Sequence, residues 1–457
     1  MTAADTALRA ADLAAATPPS RDRYVDLLRV ASLGTVVLGH WLMAAVTTGA
    51  DGRVEIGNLL AVRPELQILT WALQVMPVFF FVGGFSHALS YRSLRRRTTE
   101  ADVYSVFLRA RLQRLLRPTV VFIGVWGAAA LVLQLAGSGG GLLDVTLRLV
   151  AQPLWFIGIY LAMVAFTPAL LGLHERFGWG AFGALAGAAV SVDVLRFALG
   201  VPYVEFLNFA FVWLAVHQLG FLRADGRLTR WRPYVLAGAG LAGAALLVAY
   251  GPYPLSMVGM PGEKVSNMAP PTLALLCHGL WLVGAVELLR APVARRLERP
   301  RVWRTVVAAN GISMTAFLWH LTAMLGVYGA FLALDVPLPG PATGEWWAQV
   351  PLRIAAAAVL TAALVAAFRT FEKPAVRSAG LPAQRGPRRS ATYSGPAAAL
   401  GVTLCLFGVL GLSMVGFGGL LEGRTALLIA VHVTAPVAVA MTLAGWLLVE
   451  RAGRAAS

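Results

Sequence analysis

The chain has 457 residues, 58% of them hydrophobic and 13% charged, against about 25% charged in a typical soluble protein. With a mean hydropathy of +0.70 it lacks the polar coat of a soluble globule, which excludes a soluble enzyme, a DNA-binding protein and a disordered chain. The net charge of +16 comes almost wholly from arginine, with Lys264 and Lys373 the two lysines. In a membrane protein such an excess marks cytoplasmic loops and contact with anionic headgroups rather than nucleic acid. Cys277 and Cys405 both sit in apolar runs, so neither a disulfide scaffold nor a cysteine metal cluster is expected.

Residues 1–20 are Ala-rich, carry both signs of charge and lack the apolar centre of a signal peptide, so they read as a cytoplasmic tail. A membrane-crossing helix needs about 20 apolar residues. Runs of that kind begin near Tyr24, Leu66, Thr119, Pro153, Trp179, Tyr203, Tyr234, Pro271, Val306 and Leu352, and two more near Thr392 and Thr425. The fold class is therefore all-α, a polytopic integral membrane protein of about twelve transmembrane helices. The Pro-, Gly- and Arg-rich stretch EKPAVRSAGLPAQRGPRRSAT over 372–392 reads as an inner linker. It divides a first membrane domain over 21–375 from two further helices over 393–457, with the linker itself over 376–392.

Orientation follows from the basic residues. With the N-terminus inside and twelve alternating helices, 31 of the 38 Lys and Arg residues fall on the inner side. That bias satisfies the positive-inside rule and puts both termini in the cytoplasm of a plasma-membrane protein.

Ionisable groups within spans are costly and mark functional sites by default. The first span runs Arg29-Val-Ala-Ser-Leu-Gly-Thr-Val-Val-Leu-Gly-His40. Eleven residues make about three turns, so both side chains leave nearly one face, separated by about 16 Å along the axis. A cation thus sits at the inner end and a titratable imidazole in the outer third. The spacing alone fits equally well an arginine snorkelling to headgroups and a histidine bonded within the bundle.

The segment RYVDLLRVASLGTVVLGHWL (23–42) resembles the opening helix of the membrane-bound acyltransferase 3 family, in which an Arg or Lys precedes a His by ten intervening residues; Asp26 fits the same pattern. Further segments resemble that family in order: MPVFFFVGGFSHALSYR (76–92), FLRARLQRLLRPTVVF (107–122) as a basic loop entering the third helix, PLWFIGIYLAMVAFTPAL (153–170), FLWHLTA (317–323) and TFEKP (370–374). The resemblance covers about residues 23–374. Many of the family stop after ten helices, which implies a ten-helix core with an appended pair.

The resemblance implies transfer of an acyl group from cytoplasmic acyl-CoA, acetyl by default, to a hydroxyl of a carbohydrate, lipid, secondary metabolite or other envelope molecule. His40 would be catalytic, as general base or transient acyl carrier, and Arg29 would help hold the donor. Acyl-CoA enters as co-substrate, and no bound cofactor or metal is expected; no pair of histidines has the H-E-x-x-H spacing. Polyanionic CoA suits arginine's bidentate fork, and Arg92 and Arg117 lie on the same inner side, where ordinary topology explains them too. Asp193 and Glu205 are candidates to orient His40, although each also fits a loop position. His278, His320 and Trp155 are candidate pocket residues, with structural hydrogen bonding or interface anchoring as the competing explanations. His87 fits packing or the donor site. The glycines of 137–141 lack the strand, helix and Lys of a phosphate loop. Two rival functions stay open, a twelve-helix secondary transporter and a non-catalytic assembly protein.

The topology predicts that a green fluorescent protein fused after Ser457 fluoresces and an alkaline phosphatase there is inactive. A fusion at Lys264 should give the opposite pair of signals.

Overall fold

In the computed structural model the described residues are 12, 14–18, 21–48, 54–97, 100–137, 140–260, 262–372, 394–421, 423–428 and 431–455. The linker over 376–392 and most of the tail over 1–20 lie outside them. In chain order come helix α1 (Arg23–Met43), a hairpin of strands β1 (Ala44–Thr48) and β2 (Val54–Asn58), then α2 (Met76–Arg95), α3 (Glu100–Leu135), α4 (Gly141–Leu149) and α5 (Pro153–Phe177). These are followed by α6 (Trp179–Phe197), α7 (Asn208–Ala224), α8 (Arg232–Tyr250), α9 (Leu273–Leu297), α10 (Pro300–Asn310), α11 (Ser313–Ala333) and α12 (Gly344–Phe368). Last come α13 (Ser394–Val415), a second hairpin of β3 (Thr425–Leu428) and β4 (Val431–Thr434), and α14 (Ala435–Ala455). Short helical turns fill 59–73 and 204–207.

Among the described residues, twelve helical segments are long and apolar enough to cross a membrane, and the protein is an all-α polytopic membrane protein. Several spans start away from the positions expected from hydropathy. The third does not begin near Thr119 after a basic loop: α3 already runs through FLRARLQRLLRP. Val103, Phe107, Leu108, Leu112, Leu115 and Leu116 are all buried, and their three- and four-residue spacing gives this arginine-rich stretch an apolar helical face. Pro118 lies inside the helix, and Thr119 Oγ1 donates to the Leu115 carbonyl at 2.8 Å, the local side-chain bonding by which membrane helices tolerate proline. The ninth span starts at Ser313, because Val306 belongs to the separate helix α10, which buries Trp303, Val306 and Asn310. The tenth starts at Gly344, with the Thr343 hydroxyl accepting from the Trp346 N–H at 3.2 Å. At the twelfth, the β-branched residues near Thr425 form an antiparallel hairpin before α14 begins.

The chain forms two compact units, and the division falls within several helices. The first holds residues 1–88, 169–313 and 326–360. Its centre is α7, in which every residue from Val212 to Arg223 is buried. Two glycines let the backbone of α2 meet that of α7: a Cβ on Gly84 would collide with the His217 carbonyl, and one on Gly220 with the Phe81 carbonyl. Beside them α8 and α9 pack in the same way, with Gly240 against Trp281 N and Gly284 against Ala237 N. Small residues allow such approaches where helices have no water to exclude. α1 is docked at its N-terminal end: Tyr24 Oη donates to the Val286 carbonyl, Arg23 Nη1 to the Leu297 carbonyl at 3.2 Å, and Asn310 Nδ2 to the Asp26 carbonyl at 3.3 Å.

The second unit holds residues 89–168, 314–325 and 361–457. Trp319 stacks on Phe368 with centroids 4.2 Å apart and meets Phe122 edge-on at 5.1 Å. α13 and α14 touch backbone to backbone through Gly401, Gly408 and Gly445. The ion pair of Arg109 with Glu450 at 3.5 Å and the 3.4 Å bond from Arg109 Nη1 to the Gly453 carbonyl tie α14 to α3.

Gly220→Val should cost about 3 kcal/mol by overpacking, read as a lowered thermal midpoint in detergent. Gly183→Ala, with nothing within 4 Å of the added Cβ, should change stability by less than about 1 kcal/mol.

Candidate active site

α1 starts where the Asp22 carboxylate accepts from the N–H groups of Tyr24 and Val25 at 3.1 and 3.2 Å, satisfying donors that a helix start leaves unpaired. One turn on, buried Asp26 takes Arg21 Nε at 2.6 Å and Arg29 Nη1 at 3.1 Å. Arg29 Nη2 donates to Ser86 Oγ of α2 at 3.0 Å, so the guanidinium is held in a fixed orientation with a quarter of the side chain exposed. His40 lies half-buried in the last turn of the same helix, its ring bonded to the Val36 backbone. Their eleven-residue separation on an unbroken helix gives the expected arrangement, a cation at one end and an imidazole about 16 Å further along.

Two other expected residues, Asp193 and His278, lie in the first unit. Asp193 is buried, and its oxygens accept from Asn208 Nδ2 at 2.9 Å, Tyr253 Oη at 2.9 Å and the Leu273 N–H at 2.7 Å. This carboxylate links α6 to the start of α9, and burial, followed by the Asp193 charge, drives the Tyr253 phenol above its ordinary range. His278, on α9, gives its Nε2 to the Trp71 carbonyl at 3.0 Å, a carbonyl that Trp281 Nε1 also reaches at 3.1 Å. Glu205 is half-buried in the single turn before α7. His87, buried on α2, faces His217 of α7 with ring nitrogens 3.0 Å apart.

The remaining expected residues belong to the second unit. Arg92 lies in the last turn of α2 and Arg117 just before Pro118; both are half-buried. Their neighbour Arg111 donates to Ser90 Oγ, and Leu89, Phe107 and Arg111 help line a cleft of about 400 Å³. Trp155 is half-buried in the first turn of α5. His320 is buried on α11, with Nδ1 bonded to the Phe317 carbonyl and its ring stacked on Phe317.

Three groups escaped the sequence reading. Arg223 and Glu287 form a buried pair, Nε to Oε1 at 2.5 Å, with Arg223 Nη2 also on Asp22 at 2.9 Å. Glu372, of the segment TFEKP, accepts from the N–H groups of Met314 and Thr315 and the Thr315 hydroxyl at 3.1, 3.0 and 2.6 Å. It caps α11, and burial holds its carboxyl above the usual carboxylate range. Arg353 is buried within α12. A usable signal existed for Glu287 and Arg353, since both are charged residues within an apolar run. Among the described residues no group of three or more His, Cys, Asp and Glu could hold a metal ion.

Twelve apolar helices with ion pairs and histidines built into them define a multi-pass membrane protein whose interior handles charge. Residues 22–370 match the acyltransferase domain of the acyltransferase 3 family. The match spans most of the chain, which therefore belongs to that family and is a membrane acyltransferase. No curated protein and no solved structure matches the chain.

Glu287→Ala leaves the buried Nε of Arg223 without its acceptor while Asp22 stays on Nη2, and should cost about 3 kcal/mol. The expected readout is a lower thermal midpoint and less monodisperse protein after extraction.

Proposed function

We propose that the protein transfers an acyl group, acetyl by default, from cytoplasmic acyl-CoA to a hydroxyl of a carbohydrate, lipid or secondary-metabolite acceptor, with His40 as general base. The observation that carries this reading is the pair on α1: an imidazole and an oriented guanidinium on one continuous helix, in a chain of the acyltransferase family. In the proposed step neutral His40 takes the acceptor hydroxyl proton. The oxygen forms a new bond to the thioester carbonyl carbon, the C–S bond breaks, and the departing CoA thiolate receives a proton. The separation of about 16 Å is comparable to an extended pantetheine arm, so a donor whose phosphates engage Arg29 would present its thioester near His40. Ser86 and Asp26 hold the arginine fork, which lowers the entropic cost of engaging phosphate.

In this reading the chain sits in the plasma membrane with both termini cytoplasmic, following the arginine distribution. Arg92 and Arg117, on the inner side by that distribution, add to the positive potential that draws the polyanionic donor there.

Membranes carrying the chain, mixed with acyl-labelled acetyl-CoA and an envelope or metabolite extract, should transfer label to an acceptor. His40→Ala should lower the rate about 10²- to 10⁴-fold, while Arg29→Met should mainly raise the apparent KM for acetyl-CoA. Unchanged transfer by His40→Ala would overturn the assignment of the base.

A further inference from the structure

Arg353 is the unusual charge of the first unit. It lies inside a membrane-spanning helix, 8% exposed, and among the described residues no carboxylate pairs with it. Its charge is met by other means: the guanidinium lies 4.3 Å above the Trp346 ring and 5.9 Å from the Tyr328 ring. Nη2 donates to the Trp346 carbonyl at 3.0 Å and Nη1 to Tyr328 Oη at 2.8 Å, while the buried Nε–H has no acceptor. Cation–π contacts and neutral acceptors compensate a desolvated charge less fully than a carboxylate does. A leucine or methionine would fill the same space without that cost, so stability alone is a poor reason for this residue.

The hydrogen bonds lead in one direction. Tyr328, having accepted from Arg353, donates its own proton to the Ala44 carbonyl at 3.0 Å. Ala44 closes α1: its N–H bonds to the His40 carbonyl, and its extended backbone starts β1. An unbroken sequence of bonds therefore runs from Arg353 through Tyr328 and Ala44 to His40, all within the first unit. Bonding to a cation polarises the phenol and strengthens its donation to the carbonyl. The planar guanidinium, fixed at two nitrogens and one face, sets where the phenol stands.

We infer that Arg353 and Tyr328 are positioning residues that pin the outer end of α1 and so fix the His40 imidazole against the reacting atoms. This rests on His40 being the base. It assigns to α11 and α12 the task of holding the outer end of the helix whose inner end Asp26 and Ser86 hold.

The test compares wild type with Tyr328→Phe, Arg353→Lys, Arg353→Met and His40→Ala, each in native membranes and quantified as folded protein by size-exclusion of a fluorescent fusion. Transfer of label from acetyl-CoA at saturating extract should fall about ten- to a hundred-fold in Tyr328→Phe and both Arg353 variants. The apparent KM for acetyl-CoA should stay at the wild-type value, because the donor end of α1 is untouched. A second readout is independent of turnover: carbethoxylation of His40 by diethyl pyrocarbonate, followed by peptide mass spectrometry across pH. Its rate and pH midpoint should shift in Tyr328→Phe and Arg353→Lys, whereas a purely structural role would lower the amount of folded protein and leave both unchanged in what remains. If Arg353→Met does not fold, Tyr328→Phe, which removes one oxygen, carries the comparison. Inactive His40→Ala together with wild-type rates and His40 reactivity in the other variants would overturn the positioning role alone. Full activity in His40→Ala would overturn the reading beneath it.

Discussion

A hydrocarbon core offers no water to a stray donor or charge, so a polar group within the spans is costly unless the protein matches it. The rest of this structure follows from how that demand is met. Arg223 is accommodated by Glu287 and Asp22, Asp193 by three donors from two helices and a loop, and Arg29 by Asp26 and Ser86. Each match requires helices to stand at a set distance and rotation, and glycines at the crossings supply the distance. Gly84 and Gly220 are conspicuous here: by letting α2 and α7 touch, they bring the His87 and His217 rings within hydrogen-bonding distance, tilted at 50°. Polar pairing and small-residue packing are therefore one constraint seen from two sides.

The same constraint explains what could be read from the sequence. Twelve spans were legible because lipid imposes length and apolarity on every crossing, whatever the neighbours. Boundaries failed where something other than hydropathy decides them. The arginine-rich start of α3 looks like a loop until its buried leucines and phenylalanines are counted around a helix. The stretch around Thr425 looks like the start of a span, yet its β-branched residues pair as a hairpin. Of the site, the Arg29 and His40 pair was legible because both ends lie on one helix, where spacing alone sets geometry. Their partners were not: Ser86 is 57 residues from Arg29, and Tyr328 is 284 residues from Ala44. Periodicity carries no information at that range. Glu372 shows the same limit, since nothing in its segment announces that it caps a helix starting at Ser313.

α1 is held at its two ends by different chemistry. The N-terminal end has a carboxylate between two arginines, a charged and partly exposed arrangement. The C-terminal end has a phenol, a guanidinium and an indole, with no acid among them. Family membership says that an acyl group is moved, and these contacts tie both ends of the first span to neighbouring helices.

The ion pair between Arg109 and Glu450 joins residues 341 positions apart in the chain. At the ribosome's rate of about 5–20 residues per second, α3 enters the membrane tens of seconds before its partner has been made. During that interval the face of α3 that α14 later covers lacks this partner. Assembly of the second unit is thus paced by translation, and a ribosome that stalls between these helices leaves behind a chain inserted in the bilayer yet unfinished.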